Sequence, residues 1–418
     1  MKKRLVICCD GTWNAPDSAH VTNIEKIART ISTAVIEGDP PVQQLVLYLH
    51  GVGSSGYLAD RLLGGAFGYG LFDNIRAAYR FLALNYDEDD EIFVFGFSRG
   101  AYTARSLVGM IGRVGLLTRQ SLISGQLPEA VDRYRRRRPG HRSFHGSSDE
   151  RFKQVHSHAR SDITFLGVFD TVGALGVPGA LGHRHQFHDV RLGDHVHVAR
   201  QALAIDEHRM KFEPSLWETP PDGSAGAVAA QGRVKQVWFE GCHSDVGGGY
   251  GQTGLSDTAL EWMVCEAEKE GLAFDEKLLG VYTHSGSPAI RHESLTRPYQ
   301  VMNLASRLRL AVLRRSARRR ASEGPQKGAS DPPVDGPAFQ GHDRVLDRPR
   351  ALAVLLASSA ATHYRQDGRD EEEDRVARAG KKSRGSVPHE WYRPANLCTF
   401  DTATNGFAGR EEPVVEHP

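Results

Sequence analysis

The pentapeptide Gly96-Phe97-Ser98-Arg99-Gly100 sets a serine midway between two glycines, directly after the apolar run IFVF. It leads into AYTARSLVGMIGRVG, where Ala101, Ala104, Leu107, Val108 and Ile111 fall on one helical face. A serine held in a sharp strand-to-helix turn is a nucleophile elbow. The glycines are needed because so tight a turn leaves no room for side chains, and the new helix N-terminus favours developing negative charge. The plainer reading is a serine N-cap between turn glycines. A strand before it and a helix after it favour the elbow.

A serine hydroxyl attacks only when a base takes its proton, usually a histidine oriented by a carboxylate. Hydrolases with this elbow order the three as Ser, acid, His along the chain. Asp170 closes FLGVFD and His243 follows VKQVWFEGC, so both stand at strand ends in the required order. Asp206, Asp245 and Asp257 compete for the role of acid; Asp245, two residues past His243, reads better as an organiser of its own loop. Of the 19 histidines, His183, His185, His188, His195 and His197 cluster in one segment. HRHQFHD lacks a helical i, i+4 histidine pair with an acid, so no metal is expected, nor any other cofactor.

Around these residues the first half of the chain alternates. Strand-like runs occupy Arg4 to Cys9, Leu45 to Leu49 and Glu91 to Phe95, with helical periodicity at Asn23 to Thr33 and Phe72 to Asn85. Further strands are expected at Ile163 to Phe169 and Val234 to Phe239, a helix-like segment at ALAIDEHRMKF, and an amphipathic helix in LSDTALEWMVCEAEKEG. The pattern predicts an α/β fold, a mainly parallel sheet with helices on both faces. The expected organisation is a catalytic domain over residues 1–285, with cap-like insertions near 119–160 and 176–232, and a mostly helical region over 286–418 with a flexible linker near 322–345. RALAVLLASSAATHYR reads as a packed helix. Leu304 to Arg320 reads as a helix with seven arginines beside an apolar stripe. It packs on the domain with a solvated basic face or, alternatively, lies on an anionic bilayer.

Composition narrows the classes. The 418 residues carry a net charge of +1, which argues against nucleic acid as a partner. Five cysteines form neither a disulfide framework nor metal-ligand spacing, fitting a reducing compartment. The five-residue apolar run near the N-terminus is too short for a signal peptide, and no run approaches a membrane span, so a cytoplasmic protein is expected, with signal-less export as a further route.

CDGTWN, YLHGVGSSG, FGFSRGAYTARSLVGMI, FLGVFDTVGALG, ALAIDEHRMKFEP and VWFEGCHSDVGGGYGQTGLSDTALEWM occur in this order. Together they resemble the α/β-hydrolase domain typified by the phospholipase effectors of bacterial type VI secretion, over about residues 4 to 270. The resemblance implies an α/β-hydrolase fold and an esterase or phospholipase A-type activity on an ester or phospholipid, with Ser98, Asp170 and His243 as the triad. An inhibitory protein partner is left open, as is a competing class, an inactive hydrolase fold that binds membrane or protein. For the oxyanion hole the expected donors are the N–H of Arg99 and, from the loop after the first strand, Gly11 or Thr12. Asp10 in VICCDGTWN suggests an aspartyl phosphatase, but that chemistry needs a carboxylate two residues earlier, where Cys8 stands. Asp10 therefore reads as the organiser of the oxyanion loop.

Overall fold

Strand β1 (Lys2–Cys9) sends Val6 and Cys8 into one apolar core and Leu5, Ile7 and Cys9 into another on the opposite face. From Leu5 to Cys9 both faces are buried, which is why this part is a continuous apolar run instead of an alternation. The computed structural model describes residues 1–11, 20–36, 41–51, 66–136, 147–172, 192–218, 232–283, 289–296, 299–300 and 303–304, and short strands beyond 338.

After β1 come α1 (Asn23–Thr30), β2 (Val42–Leu49), α2 (Ala66–Asn85), β3 (Glu91–Phe97), α3 (Arg99–Val114), α4 (Arg119–Ile123), α5 (Leu127–Arg135) and α6 (Ser147–His156). Then follow β4 (Ile163–Phe169), β5 (Val196–Ala204), β6 (Val234–Phe239), α7 (His243–Gly247), α8 (Gly254–Lys269) and α9 (Glu276–Tyr282). Farther on lie β7 (Phe339–Gln340) paired with β8 (Asp343–Arg344), β9 (Val354–Ala357), β10 (Phe400–Asp401) paired with β11 (Gly406–Phe407), and β12 (Val415–Glu416).

Among the described residues eight strands form one sheet in the order β12-β9-β6-β5-β4-β3-β1-β2, and every pair is parallel. The chain leaves β1 for β2 on one side and returns to place β3 on the other. That reversal opens a crevice at the carboxyl ends of β1 and β3, where parallel α/β sheets bind ligands. On one face, Ile24 and Ile27 of α1 and Leu260, Trp262 and Met263 of α8 pack against Phe93, Phe95 and Trp238. On the other, Ile75, Tyr79 and Leu82 of α2 and Leu107 and Ile111 of α3 pack against Ile7 and Val94, joined by Val131 and Tyr134 of α5. Among the described residues no helix is long and apolar enough to cross a membrane.

Two sequence expectations are corrected. The stretch 176–232 is not all cap, because Val196–Ala204 is a central strand of the sheet; only the latter part of ALAIDEHRMKF, at Met210–Phe212, has a helical turn, of 3-10 type. VHVARQALA conceals this strand by carrying Arg200 and Gln201 in its interior. Both are buried with partners: Arg200 Nε pairs with Glu266, and Gln201 Oε1 accepts the Thr171 hydroxyl at 3.1 Å. Within RALAVLLASSAATHYR, Val354–Ala357 is a strand, not a helix, and lies along β6. Pairing with an open sheet edge outweighs helix propensity here. Most of the basic helix expected from Leu304 to Arg320, and most of the linker expected near 322–345, lie outside the described residues; at the linker's end the short strands β7 and β8 pair with each other.

Candidate active site

Cys9 stands opposite Gly96 in the β1–β3 register, so the loop after β1 and the turn after β3 leave the sheet side by side. Ser98 occupies that turn at φ 57° and ψ −119°. Asp170, at the end of β4, has φ 36°. Neither conformation is comfortable for a non-glycine residue, and each costs on the order of 1–3 kcal/mol that the surroundings must supply. Backbone bonds supply part of it: the Ser98 N–H donates to Phe169 O at 3.0 Å and the Asp170 N–H to Ala202 O at 2.7 Å.

The side chains of these two residues meet on one imidazole. Asp170 Oδ1 accepts the Ala204 N–H at 3.1 Å, which turns Oδ2 toward His243 Nδ1 at 2.6 Å. With the proton held on Nδ1, Nε2 is left to accept from Ser98 Oγ at 2.7 Å. All three residues are buried, Ser98 at 6%, His243 at 4% and Asp170 at 0% exposure. The Phe97 ring lies 4.7 Å from the imidazole and the Phe212 ring 5.0 Å, edge-on, so two aromatics wall it from water.

The other acids weighed from sequence are occupied elsewhere. Asp206 accepts the Gly241 N–H at 2.6 Å, and burial pushes its carboxyl up to about 6. Asp257 bonds Lys26 Nζ at 2.6 Å and the Thr253 hydroxyl at 2.7 Å. Asp245 organises the turn that carries His243: its Oδ2 accepts the N–H groups of Cys242 and His292, both at 3.0 Å, and its Oδ1 meets His292 Nδ1 at 2.6 Å. Asp10 has a comparable task at the β1 end. Its Oδ2 accepts the hydroxyls of Thr22 at 2.6 Å and Tyr48 at 2.7 Å, and its Oδ1 accepts the Gly11 N–H at 2.6 Å. The Gly11 N–H is therefore engaged within its own loop; Thr12 lies outside the described residues. Arg99 opens α3, and burial lowers its guanidinium to about 10.

Of the clustered histidines, His195 Nε2 lies 3.0 Å from Val108 O and His197 faces Asp162, while His183, His185 and His188 lie outside the described residues. Sequence reasoning missed Glu207, Arg209 and Phe212, which line the histidine from the loop after β5. Their only signal was the motif ALAIDEHRMKFEP, which suggested a helix and not a wall of the site.

Burial pushes the His243 imidazole below its ordinary 6.5; the Asp170 hydrogen bond and charge oppose this, and Arg209 adds to the lowering. The neutral base therefore persists into mildly acid solution. Any reaction using it should show an acid limb of kcat/KM below pH 6.5, checked by a rate–pH profile on a soluble ester.

A parallel sheet reversing at β1 and β3, with a serine at the strand-to-helix turn of β3, defines an α/β-hydrolase-like protein. The family model described as "T6SS, Phospholipase effector Tle1-like, catalytic domain" matches residues 3–266, and the chain belongs to this family. Uncharacterized protein YEL023C of Saccharomyces cerevisiae is 31% identical over 237 residues, 52% of this chain and 33% of the yeast protein. The crystal structure of an uncharacterized protein from Pseudomonas aeruginosa aligns over 95% of this chain and 62% of that one, at 16% identity and a TM-score of 0.38. The chain thus spans about a third of the curated relative's length.

Proposed function

We propose that this protein is a serine hydrolase that cleaves carboxylic esters of lipids or phospholipids through an acyl-enzyme. The observation that carries this reading is the hydrogen-bonded series Ser98–His243–Asp170, assembled from the ends of three strands of one sheet. Membership of a family described as phospholipase effectors supports a lipolytic reaction.

In the first step the Ser98 Oγ–H proton moves to His243 Nε2 as Oγ bonds the ester carbonyl carbon. Asp170 balances the imidazolium that forms. As the tetrahedral centre collapses, the carbon–oxygen bond to the alcohol breaks and the imidazolium returns its proton to that oxygen. Water then repeats the attack on the acyl group, with His243 again taking a proton and passing it back to Ser98 Oγ. Carboxylic acid leaves and the serine is restored. The oxyanion needs two fixed donors. The Arg99 N–H, directly after the nucleophile at the start of α3, is one. Because Gly11 is held by Asp10, Thr12 is the choice for the other.

A fluorophosphonate probe tests this directly. Wild-type protein should be labelled and Ser98→Ala should not; no label on the wild type, or equal label on both, would refute the reading. A panel of short esters against phospholipid vesicles then separates a general esterase from a phospholipase.

A further inference from the structure

The loop after β5 joins the catalytic histidine to a segment beyond the family-matched residues. Glu207 is fully buried. Its Oε1 accepts the Arg209 N–H at 2.7 Å, Arg209 Nε at 2.8 Å and the Ser294 hydroxyl at 2.9 Å. Its Oε2 accepts Arg209 Nη2 at 2.7 Å and the backbone N–H of His243 at 3.3 Å. The Arg209 guanidinium lies 3.6 Å from the centre of the Phe212 ring, the same ring that stands edge-on to the His243 imidazole, and 5.1 Å from the Tyr299 ring. Asn303 pins the same loop twice, its Oδ1 accepting the Met210 N–H at 3.0 Å and its Nδ2 donating to His208 O at 2.8 Å.

We propose that Glu207, clamped by Arg209, is a positioning residue for the catalytic histidine, and that Ser294, Tyr299 and Asn303 complete this support from outside the family-matched region. The proposal rests on the serine-hydrolase reading above.

A buried carboxylate beside a backbone N–H would be costly without its bidentate arginine, and the arginine equally needs its acid. As a pair they contribute opposite charges near His243: Glu207 favours the imidazolium and Arg209 opposes it. Among the described residues, Glu240, Arg291 and Arg99 also stand near the turn, and the acids around it have partners of their own. Asp170 holds Nδ1, Asp245 holds His292, Asp206 accepts the Gly241 N–H, and Asp257 of α8 pairs with Lys26 of α1. Unbalancing the clamp should therefore move the basicity of His243, with a sign set by which partner is removed.

The test is the rate of fluorophosphonate labelling of Ser98 across pH, on the full chain. Glu207→Gln leaves Arg209 uncompensated, so the acid limb should move to lower pH and the plateau rate fall by about ten- to a hundredfold. Arg209→Gln leaves Glu207 uncompensated, so the limb should move to higher pH. Limbs that stay put, or move together, would overturn the proposal, because a loop that merely supports folding gives lower rates without opposite shifts. If either variant fails to fold, Ser294→Ala decides: a rate about fivefold lower at an unchanged melting temperature supports the clamp, and an unchanged rate overturns it. Absence of label on the wild type would instead sink the serine-hydrolase reading, and this inference with it.

Discussion

Asp170→Asn is expected to lower kcat/KM on a soluble ester by roughly 10⁴-fold while the protein stays folded. The backbone accepts the change: Asp170 sits at φ 36°, a region that asparagine tolerates as well as aspartate does. The side chain does not. One oxygen must accept the Ala204 N–H, so the amide carbonyl takes that place and the NH2 group faces His243 Nδ1. Facing a donor, Nδ1 must give up its proton, and the imidazole shifts to the tautomer with hydrogen on Nε2. That tautomer donates toward Ser98 and cannot take the serine's proton. A rate within a few fold of wild type, with an unchanged melting curve, would show that Asp170 has no part in the chemistry.

The second large effect is on folding. Gly100→Ala should cost on the order of 3 kcal/mol or more, read as a fall in the denaturant midpoint or as loss of soluble protein. A Cβ at residue 100 would come within 2.1 Å of Cys9 O and 2.5 Å of Asp10 O, both backbone atoms of the neighbouring strand end. Gly96 is confined in the same way, its Cβ meeting Ala101 Cα at 2.6 Å. The first turn of α3 thus lies directly on the end of β1, and this contact brings Ser98 beside the Asp10 loop. A wild-type midpoint for Gly100→Ala would mean that this approach is looser than the structure has it.

These two glycines also explain what the sequence could reveal. The elbow was legible because its constraints are local: a strand, a turn without room for side chains, and a helix follow one another without a break. Strands β1, β3 and β4 were legible because burial on both faces leaves the continuous apolar runs LVICC, IFVF and FLGVF, and β6 by its apolar end VWF although it carries Lys235 and Gln236. β5 was not, since Arg200 and Gln201 are made tolerable by partners remote in the chain, Glu266 and Thr171. β9 is four residues long and acquires strand character only from the exposed flank of β6. Asp10 could be assigned to loop organisation, but Tyr48, which bonds it at 2.7 Å, belongs to another strand and gives no signal of its own. Glu207 and Arg209 sit in a stretch whose periodicity suggests a helix, and their partners Ser294 and Asn303 lie far along the chain. Contacts of that kind leave no trace in local pattern.

The strand order also bears on how the protein is made. β6 is bordered on its outer side by β9, and β9 by β12, so the sheet is closed by segments synthesised long after Phe239. At ordinary elongation rates, β6 waits on the order of ten seconds on the ribosome before its partner emerges. Through that interval its outer edge presents unpaired amides and carbonyls, open to whatever strand it meets first. Until β9 emerges and pairs, that edge is where the nascent chain is most exposed to strand-to-strand association.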